Sequence, residues 1–106
     1  MSIPTITHLQ FLLLSRLGQG EQAGRHLRKL LSRHGARRSA PAFYQMMARL
    51  EDAALVTGHY EQQVIDGQMI KERHYRITAA GRRACERTRA FYAAQLAESR
   101  PGMADA

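Results

Sequence analysis

Asp66-Gly67 is the most constraining dipeptide in this chain. Both residues tolerate the left-handed backbone that a tight hairpin loop needs. Val56, Tyr60, Val64 and Ile65 precede it, and Met69, Ile70, Tyr75 and Ile77 follow. These are the branched and aromatic residues of two strands. Loop length then sets the register. A two-residue loop places Glu61 directly opposite Glu72, an unfavourable like-charge pair. A three-residue loop, Ile65–Gly67 or Asp66–Gln68, places Glu61 opposite Lys71 or Arg73 instead. The longer loop is the expected one.

Helical periodicity surrounds this hairpin. Thr5 or Thr7 caps a first helix that runs to about Leu17 and stops at Gly18-Gln19-Gly20. Leu9, Leu12, Leu13 and Leu17 share one face, which Phe11 and Leu14 widen. A helix apolar over so much of its circumference is buried on more than one side, and a small domain gains from burial in a dimer. Glu21 to about His34 reads as a second helix with Ala23, Leu27, Leu30 and Leu31 inward, and Gly35 is its stop. Ser39-Ala40-Pro41 has the form of a capped start for a third helix, which reaches about Ala54 and buries Tyr44, Met47 and Leu50. After the hairpin, Thr78 caps a last helix from about Ala79 to Ala97. Its Ala84, Thr88, Phe91 and Gln95, flanked by Cys85, Tyr92 and Leu96, form a seam for packing along another helix.

Charge narrows the function. The 106 residues carry a net +7, with 44% apolar residues, enough for a core. Residues 21–49 hold +6, from Arg25, Arg28, Lys29, Arg33, Arg37, Arg38 and Arg49 against Glu21. Residues 50–70 hold −4, and residues 71–89 return to +5. Two basic blocks around an acidic stretch suggest two elements addressing one polyanion. One arginine-rich helix alone would be merely a solvated face. The single cysteine, Cys85, excludes a disulfide framework and cysteine-rich zinc modules. The five histidines show no metal-ligand spacing; His26 and His34 on one helix would stand about 12 Å apart. No cofactor is expected. No nucleophile motif or phosphate-binding glycine loop is present, so an enzyme is not expected. The longest apolar run, Phe11-Leu12-Leu13-Leu14, is far short of the roughly 18 residues of a membrane span. The first residues resemble no secretion signal, so a cytoplasmic protein without membrane partners is expected.

The order helix, helix-turn-helix, hairpin, helix is that of a winged helix with an appended helix. The fold class is therefore mainly α with a β-hairpin wing. Residues 1–78 form the winged helix-turn-helix, 79–98 a dimerisation helix and 99–106 a flexible tail. Three stretches also resemble the PadR-like transcriptional regulators in their short form, with one helix after the wing. Leu12-Leu13-Leu14, Leu17, Gly24, Leu27 and Leu30 are similar to the family's first two helices. Tyr44, Leu50-Glu51 and Leu55-Val56 resemble its third helix and the entry to its wing. Arg73-His74-Tyr75-Arg76-Ile77-Thr78 with Gly81 resembles its wing ending. Arg25, Ala54 and His74 depart from the family pattern, standing where it carries an aromatic residue, a glycine and a tyrosine. The resemblance implies a repressor of transcription, acting on double-stranded DNA and open to a small-molecule effector.

Residue chemistry gives the expected interface. Ser39, Ala42, Phe43, Gln45, Met46 and Arg49 are expected to face the major groove. Gln45 suits adenine and Arg49 guanine, because their side chains match those base edges in a bidentate way. Arg37 and Arg38 are expected to clamp phosphates, and Lys71 and Arg73 to carry the wing's contact. Phe11, Leu14, Phe91, Tyr92 and Leu96 are the expected homodimer contacts. The rival reading is a winged-helix interaction module whose basic faces bind an acidic protein.

Overall fold

The computed structural model describes residues 2–99. The first helix, α1, spans His8–Leu17. Thr7 caps it reciprocally: its hydroxyl accepts from the Gln10 amide at 3.2 Å, and the Thr7 amide donates to Gln10 Oε1 at 2.9 Å. Leu13, Leu14 and Leu17 are fully buried, with Leu9 and Leu12 packed at the edge of the same core. Leu14 is thus spent inside its own subunit, which corrects its expected role as a dimer contact. Phe11 is half-buried.

The chain after α1 does not enter a helix at Glu21. Gln22–Ala23 form a short strand, β1, and the helix α2 spans Gly24–Arg33. Leu27, Leu30 and Leu31 bury its inner face as the periodicity predicts. Its C-terminus closes with Gly35 in the left-handed region, the Gly35 amide on Ser32 and the Ala36 amide on the Leu31 carbonyl. The third helix, α3, spans Ala40–Asp52, with the Ser39 hydroxyl accepting from the Ala42 amide at 3.3 Å. It ends in the same two-bond closure, Ala54 to Glu51 and Leu55 to Leu50, but here alanine holds the left-handed position at φ +59°.

The inward face of α3 is rotated from the expected one. Phe43, Met47 and Leu50 are fully buried, whereas the Tyr44 ring sits half out, edge-on to Phe43 at 5.0 Å. Either aromatic satisfies the helical period. The core takes the one without a hydroxyl to solvate, and the tyrosine keeps its polar end at the rim.

Strands β2 (Val56–Ile65) and β3 (Gln68–Ile77) form the wing, and β1 pairs with the free side of β3. The loop is two residues, not three. Asp66 and Gly67 have φ of +52° and +77°, the pair of left-handed residues whose turn matches the strand twist. Glu61 consequently lies directly opposite Glu72. Arg25 of α2 offsets this repulsion by meeting Glu72 at 2.7 Å, while Glu61 contacts the His59 ring of its own strand at 3.1 Å.

Helix α4 spans Ala79–Glu98. Thr78 caps it by accepting from the Gly81 amide, and its hydroxyl donates to the Ala54 carbonyl at 2.7 Å. A side chain at Gly81 would collide with the Leu55 carbonyl. The Thr-x-x-Gly ending of the wing is therefore a joint, tying the start of α4 to the end of α3. Ala84 and Thr88 are buried, and Cys85 Sγ lies 3.3 Å from the Ser15 hydroxyl on α1. Past Thr88 the helix loses this support: Phe91 is half-buried, Tyr92 exposed and Leu96 71% exposed. The tail expected over 99–106 lies outside the described residues apart from Ser99.

Candidate nucleic-acid interface

Ala42, Gln45 and Arg49, spaced three and four apart, form one exposed stripe on α3 opposite its buried face. Arg49 makes no ion pair among the described residues, although Glu51 and Asp52 follow closely. Ser39 is exposed at the N-terminus, with its hydroxyl engaged as the cap. Two of the expected groove-facing residues are placed otherwise. Phe43 is fully buried and cannot reach a ligand while the domain is folded; Met46 lies on the flank, partly packed on the core.

The arginine pair before α3 does not act alone. Arg37 and Arg38 line a groove of about 290 Å³ with Arg25, Arg28, Lys29 and Ser32 of α2. Arg28 Nε is buried there without a hydrogen-bond partner among the described residues, and Arg38 donates to the carbonyls of Ala36 and Arg37. Arg25 is paired with Glu72, and the other four cations around the groove have no carboxylate partner among the described residues, which suits an anion. Sequence reading counted the α2 cations as charge but did not join them to the arginine pair. Their spacing, Arg25, Arg28 and Lys29 on one helical face, was the available signal.

The wing's two expected residues diverge. Lys71 is exposed, its ammonium 4.8 Å from the centre of the Tyr60 ring. Arg73 shares that sheet face but is turned inward, 2.5 Å from Glu51 on α3 and stacked 4.7 Å from Tyr60. Glu61 is the partner of neither, because the two-residue loop puts it on the opposite face. Desolvation pulls the Arg73 guanidinium down, but the hydrogen bond to Glu51 and its charge outweigh this and hold it above its ordinary range. Gly58 makes the bridge possible, since a Cβ there would fall on Glu51 Oε1 and the guanidinium. Beneath it, burial and then the Glu51 charge push the Tyr75 phenol up to about 12, so it is neutral at any physiological pH. Between α3 and the wing runs a cleft of about 600 Å³, with Tyr44 and Ala48 on one wall and Tyr60 and Lys71 on the other.

The model of the transcriptional regulator PadR-like family matches residues 13–87, which takes in this whole helix-turn-helix and wing. The chain belongs to the PadR-like family of transcriptional regulators. This family consists of regulators and not of enzymes. A PadR-family regulator from Eggerthella lenta DSM 2243 superimposes with a TM-score of 0.68 at 27% identity, covering 85% of this chain and 76% of that one. A PadR-family regulator from Clostridium difficile R20291 has a TM-score of 0.69 at 17% identity, covering 87% and 97%. The circadian clock associated protein Pex from Anabaena shares the fold at a TM-score of 0.56 and 23% identity, covering 92% and 88%. No protein of curated function matches the chain. As a PadR-like winged helix, the chain has the fold of DNA-binding transcription regulation. No helix among the described residues is long and apolar enough to cross a membrane.

Proposed function

We propose that this PadR-like regulator is a homodimeric, sequence-specific repressor that acts on duplex DNA in the cytoplasm. The observation that carries the reading is the exposed Ala42–Gln45–Arg49 stripe of α3, a helix that starts two residues after Arg37 and Arg38 of the basic groove. In this reading Gln45 and Arg49 read base edges, with Ser39 and Ala42 beside them. Arg37 and Arg38 hold phosphates, and Lys71 carries the wing's contact. Two copies present their α3 helices to half-sites about one DNA turn apart. Residues 1–78 bind DNA and the distal part of 79–98 holds the dimer.

The support for a dimer is the unsupported end of α4. Tyr92 and Leu96 are exposed, Phe91 is half-covered, and Phe11 of α1 is half-buried. Leu14 is not part of this surface. Replacing Phe91 and Leu96 together by Glu is expected to give monomers or insoluble protein in sedimentation experiments. An unaltered dimer would refute the interface. The DNA reading is tested by the salt dependence of binding to random duplex, where a log–log slope of several units is expected. Negligible binding at low salt would instead favour an acidic protein partner. Selection of bound duplexes from a random pool would give the operator.

A further inference from the structure

The outer face of the wing sheet carries a cluster that DNA binding does not use. Strand alternation puts His59 and Glu61 of β2 beside Glu72 and His74 of β3, and Glu21 joins them at the start of β1. Three carboxylates converge on one imidazole, and each is anchored from outside through one oxygen. Glu21 Oε1 accepts from Arg76 at 2.9 Å, Glu72 Oε1 lies 2.7 Å from Arg25 Nε, and Glu61 Oε1 lies 3.1 Å from His59 Nε2. The second oxygen of each turns to His74. Glu21 Oε2 is 3.6 Å from Nδ1, and Glu61 Oε2 and Glu72 Oε2 are 3.4 and 3.7 Å from Nε2.

Those separations are long for hydrogen bonds. The hydrogen bond made by the His74 ring among the described residues is a 3.5 Å contact with Gln63. His74 is only 8% exposed, and Glu72 Oε2 is buried with no hydrogen-bond partner among the described residues. The three glutamates outnumber the two arginines that anchor them by one. A buried acceptor without a donor, as Glu72 Oε2 is, is costly unless a cation lies beside it.

The spacing suits a metal ion. One donor atom each from Glu21, Glu61 and His74 lie within 4.8 Å of one another. Donors around a tetrahedral zinc stand about 3.4 Å apart, given bonds of about 2.1 Å, so side-chain adjustments of about an ångström close the set. One imidazole with carboxylates is a donor set for borderline divalent ions. The outer contacts of Arg25, Arg76 and His59 fix the carboxylates in orientation, as outer partners do in metal sites.

We propose that Glu21, Glu61 and His74 bind a divalent transition-metal ion of the zinc class, with Glu72 as the adjoining carboxylate. The ligands come from the residue just before β1 and from β2 and β3, so the ion ties the wing to the segment that leads into α2. The three ligands lie apart from the exposed stripe of α3, and Arg25 is the residue that the cluster shares with the basic groove.

The test titrates the full, tag-free chain with zinc by calorimetry and with cobalt by visible absorption. One ion per chain is expected, with a cobalt d–d band of low-symmetry coordination. His74→Tyr and Glu61→Gln should each weaken zinc binding by about 100-fold or more, and Arg76→Gln by about 10-fold. His26→Gln, on the exposed side of α2, should leave it unchanged. Far-UV circular dichroism checks each fold. Glu61 is partly exposed, so its variant keeps the test open if His74→Tyr misfolds. Absence of saturable zinc binding would overturn the proposal. So would zinc binding that Glu61→Gln leaves intact, since the ion would then sit on other residues.

Discussion

The helix-turn-helix and the wing are both basic in sequence, yet they hold their charge differently. Before residue 50, Arg25 is paired with Glu72, but Arg37, Arg38 and Arg49 have no carboxylate partner among the described residues, and Arg28 lies against the same groove as the first two of these. After residue 70, Arg73 is paired with Glu51, Arg76 with Glu21 and Arg89 with Glu86, which leaves Lys71 on the wing and Arg82, Arg83 and Arg87 on α4 without an ion pair among the described residues. The acidic stretch between the blocks explains part of the difference, since Glu51 comes from it. Formal charge is a sum along the chain, but what a polyanion meets is the charge left unpaired after folding. By that measure α2 and α3 form the stronger half of the surface, with Lys71 the wing's main contributor.

The largest effect should follow from removing the free charge. Arg37→Ala with Arg38→Ala deletes two phosphate contacts of roughly 1.5 kcal/mol each, a loss of about 100-fold in affinity on every duplex. The salt slope should fall by about two. Fluorescence anisotropy at several salt concentrations measures both. A loss confined to one preferred sequence would break the comparison, because it would make these arginines readers of bases.

Next in size is the contrast within the wing. Lys71→Ala should lower the salt slope by about one and leave thermal stability unchanged. Arg73→Ala should do the reverse, costing about 1–2 kcal/mol of stability because it strands Glu51 half-buried, while the salt slope barely moves. Paired denaturation and DNA titrations separate the two. Glu51→Gln sharpens the point by loosening Arg73, and should tighten binding by a few-fold. If Arg73→Ala weakens DNA binding as much as Lys71→Ala at equal stability, the ion pair does not withhold that charge.

The smallest effect lies at the joint between the two regions. Helices α2 and α3 end in the same pair of hydrogen bonds, with Gly35 at one left-handed position and Ala54 at the other. Ala54→Gly relieves a strain of about 1–2 kcal/mol and costs about 0.5–1 kcal/mol in chain entropy. A net gain of about 0.5–1 kcal/mol is expected in urea denaturation, with DNA affinity unchanged. A loss of stability would mean that the Ala54 methyl makes contacts worth more than the strain.

The sequence by itself determined the features whose physics is local. Thr7, Ser39 and Thr78 cap the helices they precede, because each hydroxyl needs only an amide three residues on. Asp66-Gly67 marked the hairpin tip for a similar reason, and Leu27, Leu30 and Leu31 marked the inner face of α2. Tertiary structure decided what depends on distant partners. The β1 strand exists only because Gln22 and Ala23 find Tyr75 and His74 on β3, and two residues carry no period of their own. The loop took two residues despite Glu61 facing Glu72, because Arg25 of α2 reaches Glu72 and the His74 ring of β3 lies beside Glu61. Phe43 rather than Tyr44 entered the core, Leu14 was spent inside the subunit, and Arg73 turned to Glu51 across the space opened by Gly58. In each of these the sequence offered two locally equal choices. The energy that separated them came from surfaces that meet only once the chain has folded.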